Sequence, residues 1–312
     1  MAARATRSAS RGASSSDDAS RCLLLALSHD ELGVIVDGLA DPLQPVVAVA
    51  LSSTCLGLRT PLQAALEVLK ERHEKAKALC RKLGYKSCAQ VRGAQRLRGR
   101  SRLVADDAAT LGMILQTNGL PRLLQLYLGT NGLGDAAMQA LCGGLGRGAA
   151  PSLRVLGLAD NKFGPAGAEA LAAALGRGAM PKLAALHLQG NPIGNKGVAA
   201  LAAPLRKMPA LNHLFLVSCE IGDEGVASLV DNLGKDDFKA LTMLWLDGNK
   251  ITDAGCAKLV AALNAGALPA IKDLYFQDDV DDDEPGISEH ASEEACAAVD
   301  AALQKRLDAQ QE

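Results

Sequence analysis

The 312-residue sequence predicts an α/β solenoid built on one parallel sheet. A block of about 30 residues recurs along the chain, which is the signature of a repeat architecture. The first half of each block alternates leucine with variable residues, as a strand with one buried face does. The second half carries apolar residues at helical spacing. With 48% hydrophobic and 22% charged residues, the composition is that of a folded chain with a sizeable core.

The recurring block reads L-x-x-L-x-L-x-x-N/C-x-hydrophobic. Its Asn/Cys position falls at 131, 161, 191, 219 and 249, so successive copies are 30, 30, 28 and 30 residues apart. A weaker sixth copy covers residues 271–281 and has Asp279 in this position. An incomplete copy precedes the first, with a degenerate strand near 94–101. We therefore expect about six units.

The block resembles the leucine-rich repeat of the ribonuclease-inhibitor-like type over residues 90–312. This resemblance implies a horseshoe in which a parallel sheet lines the concave side and helices cover the convex side. The paired leucines of each strand, such as Leu126 and Leu128, are expected to point into the core. The asparagine amides are expected to satisfy backbone groups where the chain leaves the strand. Cys219 replaces one asparagine and is interpreted as structural.

One row of outward positions is rich in aromatic residues. The position between the two core leucines is occupied in turn by Tyr127, Gly157, His187, Phe215, Trp245 and Tyr275. Flanking positions supply His213, Met243, Asp247, Gln189 and Gln277. Aromatic anchors among polar neighbours are typical of protein-binding surfaces, so we predict a protein contact on the concave face. The contact is expected toward the C-terminal half, from Phe215 to Tyr275. The alternative is that rings simply favour strands and stack for stability.

Residues 22–60 form a separate apolar module after a polar tail at 1–21. The order L-S-x-D-E-L-x-x-I-V-x-x-L-x-D-P, followed by V-V-x-V-x-L-S-S-T-C-x-x-L-R, resembles an F-box. Ser28 stands where that family usually has proline, and the aromatic residue expected soon after Cys55 is absent. The resemblance implies docking on the Skp adaptor of a cullin-type ubiquitin ligase. The implied contact residues are Leu32, Ile35, Leu39 and Val47. The alternative is a helical cap on the open end of the solenoid.

Charge is distributed unevenly around the repeats. Residues 61–89 read as an amphipathic linker helix, with its apolar positions inside 62–83. The basic stretch 92–102 is interpreted as a solvated linker, with an RNA contact or a nuclear import signal as alternatives. An acidic insertion at 278–290 precedes a predicted last helix over 291–307. The tail at 1–21 is predicted to be disordered, with an organelle transit peptide of similar composition as the alternative.

Motifs that would carry chemistry were not found in the sequence. It has no phosphate-binding loop, no nucleophile elbow and no H-E-x-x-H, and its eight cysteines form no C-x-x-C pair. No apolar run reaches the length of a membrane span. We therefore expect a cytoplasmic or nuclear protein-binding module that is not an enzyme and needs no metal or cofactor, with nucleic acid an improbable partner. Two rival functions are a scaffold or inhibitor that uses the repeats alone, and a regulator of a small GTPase.

Overall fold

The computed structural model describes residues 41–46, 49–50, 63–99, 103–143, 145–234, 236–276 and 291–309. The chain divides into two compact units. One comprises residues 1–40 and 45–71, and the other comprises residues 41–44 and 72–312. The division falls inside a helix, and all the repeats lie in the second unit. The tail at 1–21 and the acidic insertion at 278–290 lie outside the described residues.

Strands and helices alternate along the repeats. The helices of the described residues are α1 (Gln63–Lys82), α2 (Cys88–Gly93), α3 (Ala105–Gln116), α4 (Asp135–Gly143), α5 (Pro165–Gly176), α6 (Gly194–Arg206), α7 (Asp223–Val230), α8 (Asp253–Asn264) and α9 (Glu293–Ala309). The strands are β1 (Arg96–Arg98), β2 (Gln125–Tyr127), β3 (Val155–Gly157), β4 (Ala185–His187), β5 (His213–Phe215), β6 (Met243–Trp245) and β7 (Asp273–Tyr275). The linker helix predicted within 61–89 corresponds to α1, and the predicted last helix corresponds to α9.

The seven strands form one open sheet in sequence order, and every neighbouring pair is parallel. The predicted α/β solenoid is thereby confirmed. The middle residue of each strand is a buried leucine, and these leucines lie in register from Leu97 to Leu274. Helix residues such as Leu141 and Leu171 belong to the same core. The sheet therefore has one face covered by helices and one outer face, where the residues flanking the leucines point away from the core.

The basic stretch at 92–102 contains the degenerate strand expected near 94–101, which is the first strand of the sheet, so its interpretation as a solvated linker is wrong. Arg96 pairs with Gln125, and the backbone N–H of Gly99 donates to the carbonyl of Tyr127 at 2.8 Å. Leu97 is fully buried between two exposed arginines. The backbone of this short segment pairs with the edge of β2, whose polar groups would otherwise lack partners. Its Leu97 side chain occupies the position in the core that a leucine fills in each of the other strands.

The asparagines of the motif join each repeat to the one before it. The Oδ1 of Asn161 accepts hydrogen bonds from the backbone N–H of Asn131 at 3.2 Å and of Leu133 at 3.0 Å. Its amide group donates to the carbonyls of Leu128 at 3.0 Å and Leu158 at 2.8 Å. All these groups are shielded from water, so the side chain replaces hydrogen bonds that solvent cannot supply.

Cys219 occupies the asparagine position in its repeat, and its thiol replaces the contacts of the amide group with backbone carbonyls. Its thiol lies near the carbonyls of Leu188 and Val217, with the sulfur 3.3 Å and 3.4 Å from the two oxygens. Burial raises the pKa of this thiol to about 12. The group is therefore protonated at neutral pH and unsuited to act as a nucleophile, in agreement with the structural role inferred from the repeat.

A second set of bonds joins the helices at their N-terminal ends. Asp135, the first residue of α4, accepts hydrogen bonds at one carboxylate oxygen from the N–H groups of Gly164 at 2.7 Å and Gly167 at 2.8 Å. In the same way, the Oδ1 of Asp223 accepts a hydrogen bond from the backbone N–H of Thr252 at 2.8 Å. A Cβ on Gly167 would lie only 2.7 Å from the Cβ of Phe163, so glycine permits the close approach of helix and turn.

The N-terminal end of the second unit is closed by apolar side chains ahead of the first strand. Leu43, Ala76, Leu79 and Val91 are buried in the same core as the repeats. Lys82 on α1 pairs with Asp107 on α3 at 2.6 Å. Residues 72–82 therefore cover the apolar end of the repeats rather than extending away from them as a free spacer.

Replacing Asn161 with alanine is expected to destabilise the fold by about 3 kcal/mol. The substitution leaves two buried N–H donors and two carbonyls without their partner, and each unsatisfied group costs about 1 to 3 kcal/mol before relaxation. Urea unfolding monitored by circular dichroism measures the change. The neighbouring Lys162→Ala, at an exposed side chain, is the matched control and should stay within about 0.5 kcal/mol of the wild type. Equal stability of the two variants would contradict the role given to the asparagine.

Candidate functional site: the outer face of the sheet

Parallel pairing brings the middle outward residues of all seven strands into one line. We call this line the ring column. In order, it consists of Arg98, Tyr127, Gly157, His187, Phe215, Trp245 and Tyr275. Neighbouring parallel strands are about 4.8 Å apart, so consecutive members can touch.

The C-terminal part of the ring column is an unbroken series of ring contacts. His187 and Phe215 stack nearly parallel, with ring centroids 4.3 Å apart and planes inclined by 9°. Phe215 meets Trp245 edge to face at 5.0 Å, and Trp245 meets Tyr275 in the same way at 5.2 Å. The two edge-to-face separations lie in the range of favourable aromatic pairs. Tyr275 is 50% exposed at the end of the series, whereas the other three rings are half-buried.

The remaining predicted residues lie beside the ring column. His213 and Met243 are register partners at the first positions of β5 and β6. The ring of His213 reaches Phe215 at 6.2 Å in an edge-on arrangement. Asp247 is half-buried two residues beyond Trp245, and its carbonyl accepts the N–H of Ser218 at 2.8 Å. Gln277 lies outside the described residues.

A gap interrupts the ring column at Gly157. The side chain of Tyr127 leans over this glycine, since a Cβ there would lie 2.7 Å from the Cδ1 of Tyr127. Beside it is a cavity of about 490 Å³ that opens on the outer face. Its lining is Arg98, Gly99, Tyr127, Gly129, Thr130, Gly157, Ala159, His187 and Gln189. This cavity was not predicted from the sequence, although small residues at outward positions of two consecutive repeats, Gly129, Gly157 and Ala159, were a signal for it.

Two buried polar atoms on this face have no hydrogen-bond partner among the described residues. They are the Oε1 of Gln189, beside the cavity, and the Nε1 of Trp245, in the ring column. Buried polar atoms in folded proteins are usually paired. The outer face therefore offers one acceptor and one donor that a bound molecule can satisfy.

The N-terminal end of the ring column is basic, and its C-terminal end is flanked by acids. The guanidinium of Arg98 lies 5.3 Å from the centroid of the Tyr127 ring, a cation–π distance. Asp273 begins β7 at the opposite end, beside Met243. The outer face thus carries opposite charges at its two ends.

Other candidate chemistry is not supported by the described residues. Within them, no three His, Cys, Asp or Glu side chains come together as a metal site. Burial raises the pKa values of Cys142 and Cys256 to about 12, as it does for Cys219. None of the described helices is long and apolar enough to cross a membrane.

The residues of the F-box-like pattern are mostly not described by the structure. Leu32, Ile35, Leu39 and Val47 all lie outside the described residues. Within that module, residues 41–44 belong to the unit that contains the repeats. There the carboxylate of Asp41 pairs with Arg92, and the carbonyl of Pro42 lies 2.7 Å from the Nδ1 of His73.

Comparison with known families supports the repeat assignment. A family model described as Leucine Rich repeat matches residues 149–172, 179–202 and 207–230, three consecutive blocks that each contain one strand and at least part of its helix. Together with the parallel sheet, these matches support leucine-rich repeats in the part of the chain that contains β3 to β5 and their helices. A search of curated proteins gave no significant match.

His187 is expected to titrate below the ordinary histidine pKa of 6.5. Burial against Phe215 disfavours the imidazolium, and His213 opposes it further by charge repulsion, so both effects lower the pKa. The unfolded chain then binds more protons than the folded one, so this histidine makes stability fall as the pH drops through 6.5 toward the lowered value. NMR titration of the imidazole C–H signals measures the pKa. His213→Ala should raise it part of the way back, and a wild-type midpoint at or above 6.5 would contradict the burial argument.

Proposed function

We propose that this protein is a non-catalytic binding module that holds a protein partner on the outer face of its sheet. The observation that carries the proposal is the ring column, in which four rings from consecutive strands touch one another on that face. The buried strand positions hold leucine while the outward ones hold rings. Strand propensity alone gives no reason for that division.

The composition of the outer face supports a protein partner. Aromatic side chains bury a large area and lose few rotamers on binding, which makes them frequent hot spots. The unpaired Nε1 of Trp245 offers a donor, and Asp247 and Asp273 supply polar surroundings for the rings. The predicted contact residues His213 and Met243 extend the same surface by one position on each strand.

We propose in addition that the repeats are of the ribonuclease-inhibitor-like type and that residues 22–60 dock on a Skp-type adaptor. Spacings of 28 to 30 residues and a helix in each repeat support the first point. The second rests on the F-box-like order of Leu32, Ile35, Leu39 and Val47. In this scheme the protein recruits substrates to a cullin-type ubiquitin ligase, with the substrate on the outer face.

A cap is the competing role for the same module, and one observation favours it. Leu43 is 4% exposed and lies in the core of the repeats, among side chains of α1 and α2. A solenoid needs such a cover over its terminal repeat. In this alternative the protein is a scaffold or inhibitor that acts through the outer face alone.

Removing rings from the ring column is expected to weaken partner binding strongly. Peptides selected from a displayed library against the wild-type protein should bind Phe215→Ala or Trp245→Ala at least about 30-fold more weakly, as hot-spot truncation costs about 2 kcal/mol or more. Fluorescence anisotropy of a labelled peptide measures the affinity. Glu169→Ala, at an exposed residue of α5 on the helix side, is the control and should bind normally. Equal loss in all three variants, or no loss in the ring variants, would contradict the proposal.

Adaptor docking is tested with the full chain. Wild-type protein is expected to co-elute with a Skp-type adaptor in size-exclusion chromatography, because Leu32 and Ile35 would bury apolar surface against it. The double variant Leu32→Asp/Ile35→Asp should elute separately while keeping the urea transition of the repeats. Separate elution of the wild type would leave the cap as the role of the module.

A further inference from the structure

We propose that the gap at Gly157 is a binding subsite for one aromatic side chain of the partner, a tryptophan or a tyrosine. This inference rests on the proposed function and adds the chemical identity of an anchor residue. The subsite lies in the N-terminal half of the ring column. It is therefore distinct from the Phe215–Tyr275 segment in which the sequence placed the contact.

The geometry of the ring column gives the subsite its walls. His187 has one face stacked on Phe215, and its register partner on the other side is Gly157, which has no side chain. Tyr127, one strand further on, forms the opposite wall. From His187 to Tyr275, each ring contacts the next one along the column. Between Tyr127 and Tyr275, Gly157 is therefore the one position of the column that has no ring. A flat group entering there would stack on the free face of His187.

The size of the cavity suits a single side chain. Its volume is about 490 Å³, and the small residues Gly129, Gly157 and Ala159 contribute to its lining. That volume lies in the range of small-ligand pockets. An indole or phenol ring fits within it together with part of the backbone that carries the ring.

The charged and polar residues that line the cavity determine which aromatic side chain of the partner fits best. The guanidinium of Arg98 borders the cavity and disfavours a lysine or arginine side chain there. Gln189 borders it as well, and its buried Oε1 has no partner among the described residues, so a donor on the ring that reaches this atom would be favoured. The indole N–H of tryptophan and the hydroxyl of tyrosine are such donors, and phenylalanine has none.

The surroundings favour a protein anchor over a nucleobase. The first outward positions next to the cavity are Gln125, Val155 and Ala185, which carry no charge. Nucleic acid binding depends on several cations along the phosphate backbone. The described strands place only Arg96 and Arg98 near this end of the face, which is a short basic footprint.

The test uses N-acetyl-tryptophanamide as a probe and the ¹³C-labelled full chain. We expect saturable shifts of the His187 and Tyr127 ring signals, caused by stacking, with a dissociation constant on the order of 1 mM. N-acetyl-tyrosinamide should bind similarly and N-acetyl-phenylalaninamide several-fold more weakly. Absence of a saturable shift at His187, or equal affinity for all three amides, would overturn the proposal, as would tighter binding of adenosine.

Substitutions in the lining of the cavity test whether the probe binds at this subsite. Gly157→Phe displaces the ring of Tyr127, since a Cβ there would lie 2.7 Å from its Cδ1, and occupies the space beside His187, so it should abolish the shifts. Tyr127→Ala removes one wall and should weaken binding about fivefold or more. Gln189→Leu should reduce the tryptophan probe to the affinity of the phenylalanine probe, while Glu169→Ala should bind as the wild type does. Circular dichroism verifies that each variant is folded. Unchanged binding by both Gly157→Phe and Tyr127→Ala would overturn the assignment of the subsite.

The probe and the peptide measurements fail independently of each other. If peptides bind through Phe215 and Trp245 but the probe does not shift His187, the subsite is wrong and the proposed function stands. If the probe binds and no peptide depends on the ring column, the proposed function is wrong, and the anchor assignment is overturned with it.

Discussion

Each asparagine of the repeat motif holds two neighbouring turns of the chain at once, and the rest of the repeat structure depends on this coupling. The amide of Asn161 bonds to carbonyls of its own turn and of the preceding one, and its oxygen receives two backbone N–H groups of the preceding turn. The strands are thereby held at a constant spacing and register. Each repeat is therefore stabilised mainly by its contacts with the two neighbouring repeats, as in other solenoids.

The fixed register of the strands decides which outward side chains are neighbours on the outer face. Once Leu126, Leu156 and Leu186 are aligned, Tyr127, Gly157 and His187 must also lie side by side. A residue of the outer face then acts through its neighbours on adjacent strands, about 30 positions away in sequence. The stacked pair His187–Phe215 and the gap at Gly157 are two outcomes of the same alignment.

The N-terminal end presents a different physical problem, because a solenoid without a cover exposes the apolar side of its first repeat. In this chain Leu43, Ala76 and Leu79 are buried there, and the arginine-flanked Leu97 begins the leucine series. Covering that end constrains residues 41–44 and 72–82. A docking role for the rest of the N-terminal module must be compatible with this constraint.

The sequence by itself determined the parallel sheet, the inward leucines, the asparagine positions and the row of rings, because each follows from a period that the chain repeats several times. It did not give the bounds of β1, which it indicated only as a degenerate strand near 94–101, since Arg96–Arg98 departs from the repeat pattern. Nor did it reveal the cavity. Gly157 is an ordinary glycine in the sequence, and it becomes an opening only where Tyr127 and His187 flank it on adjacent strands. The lowered pKa of His187 has the same origin, because burial and charge repulsion come from side chains that only the tertiary structure brings together.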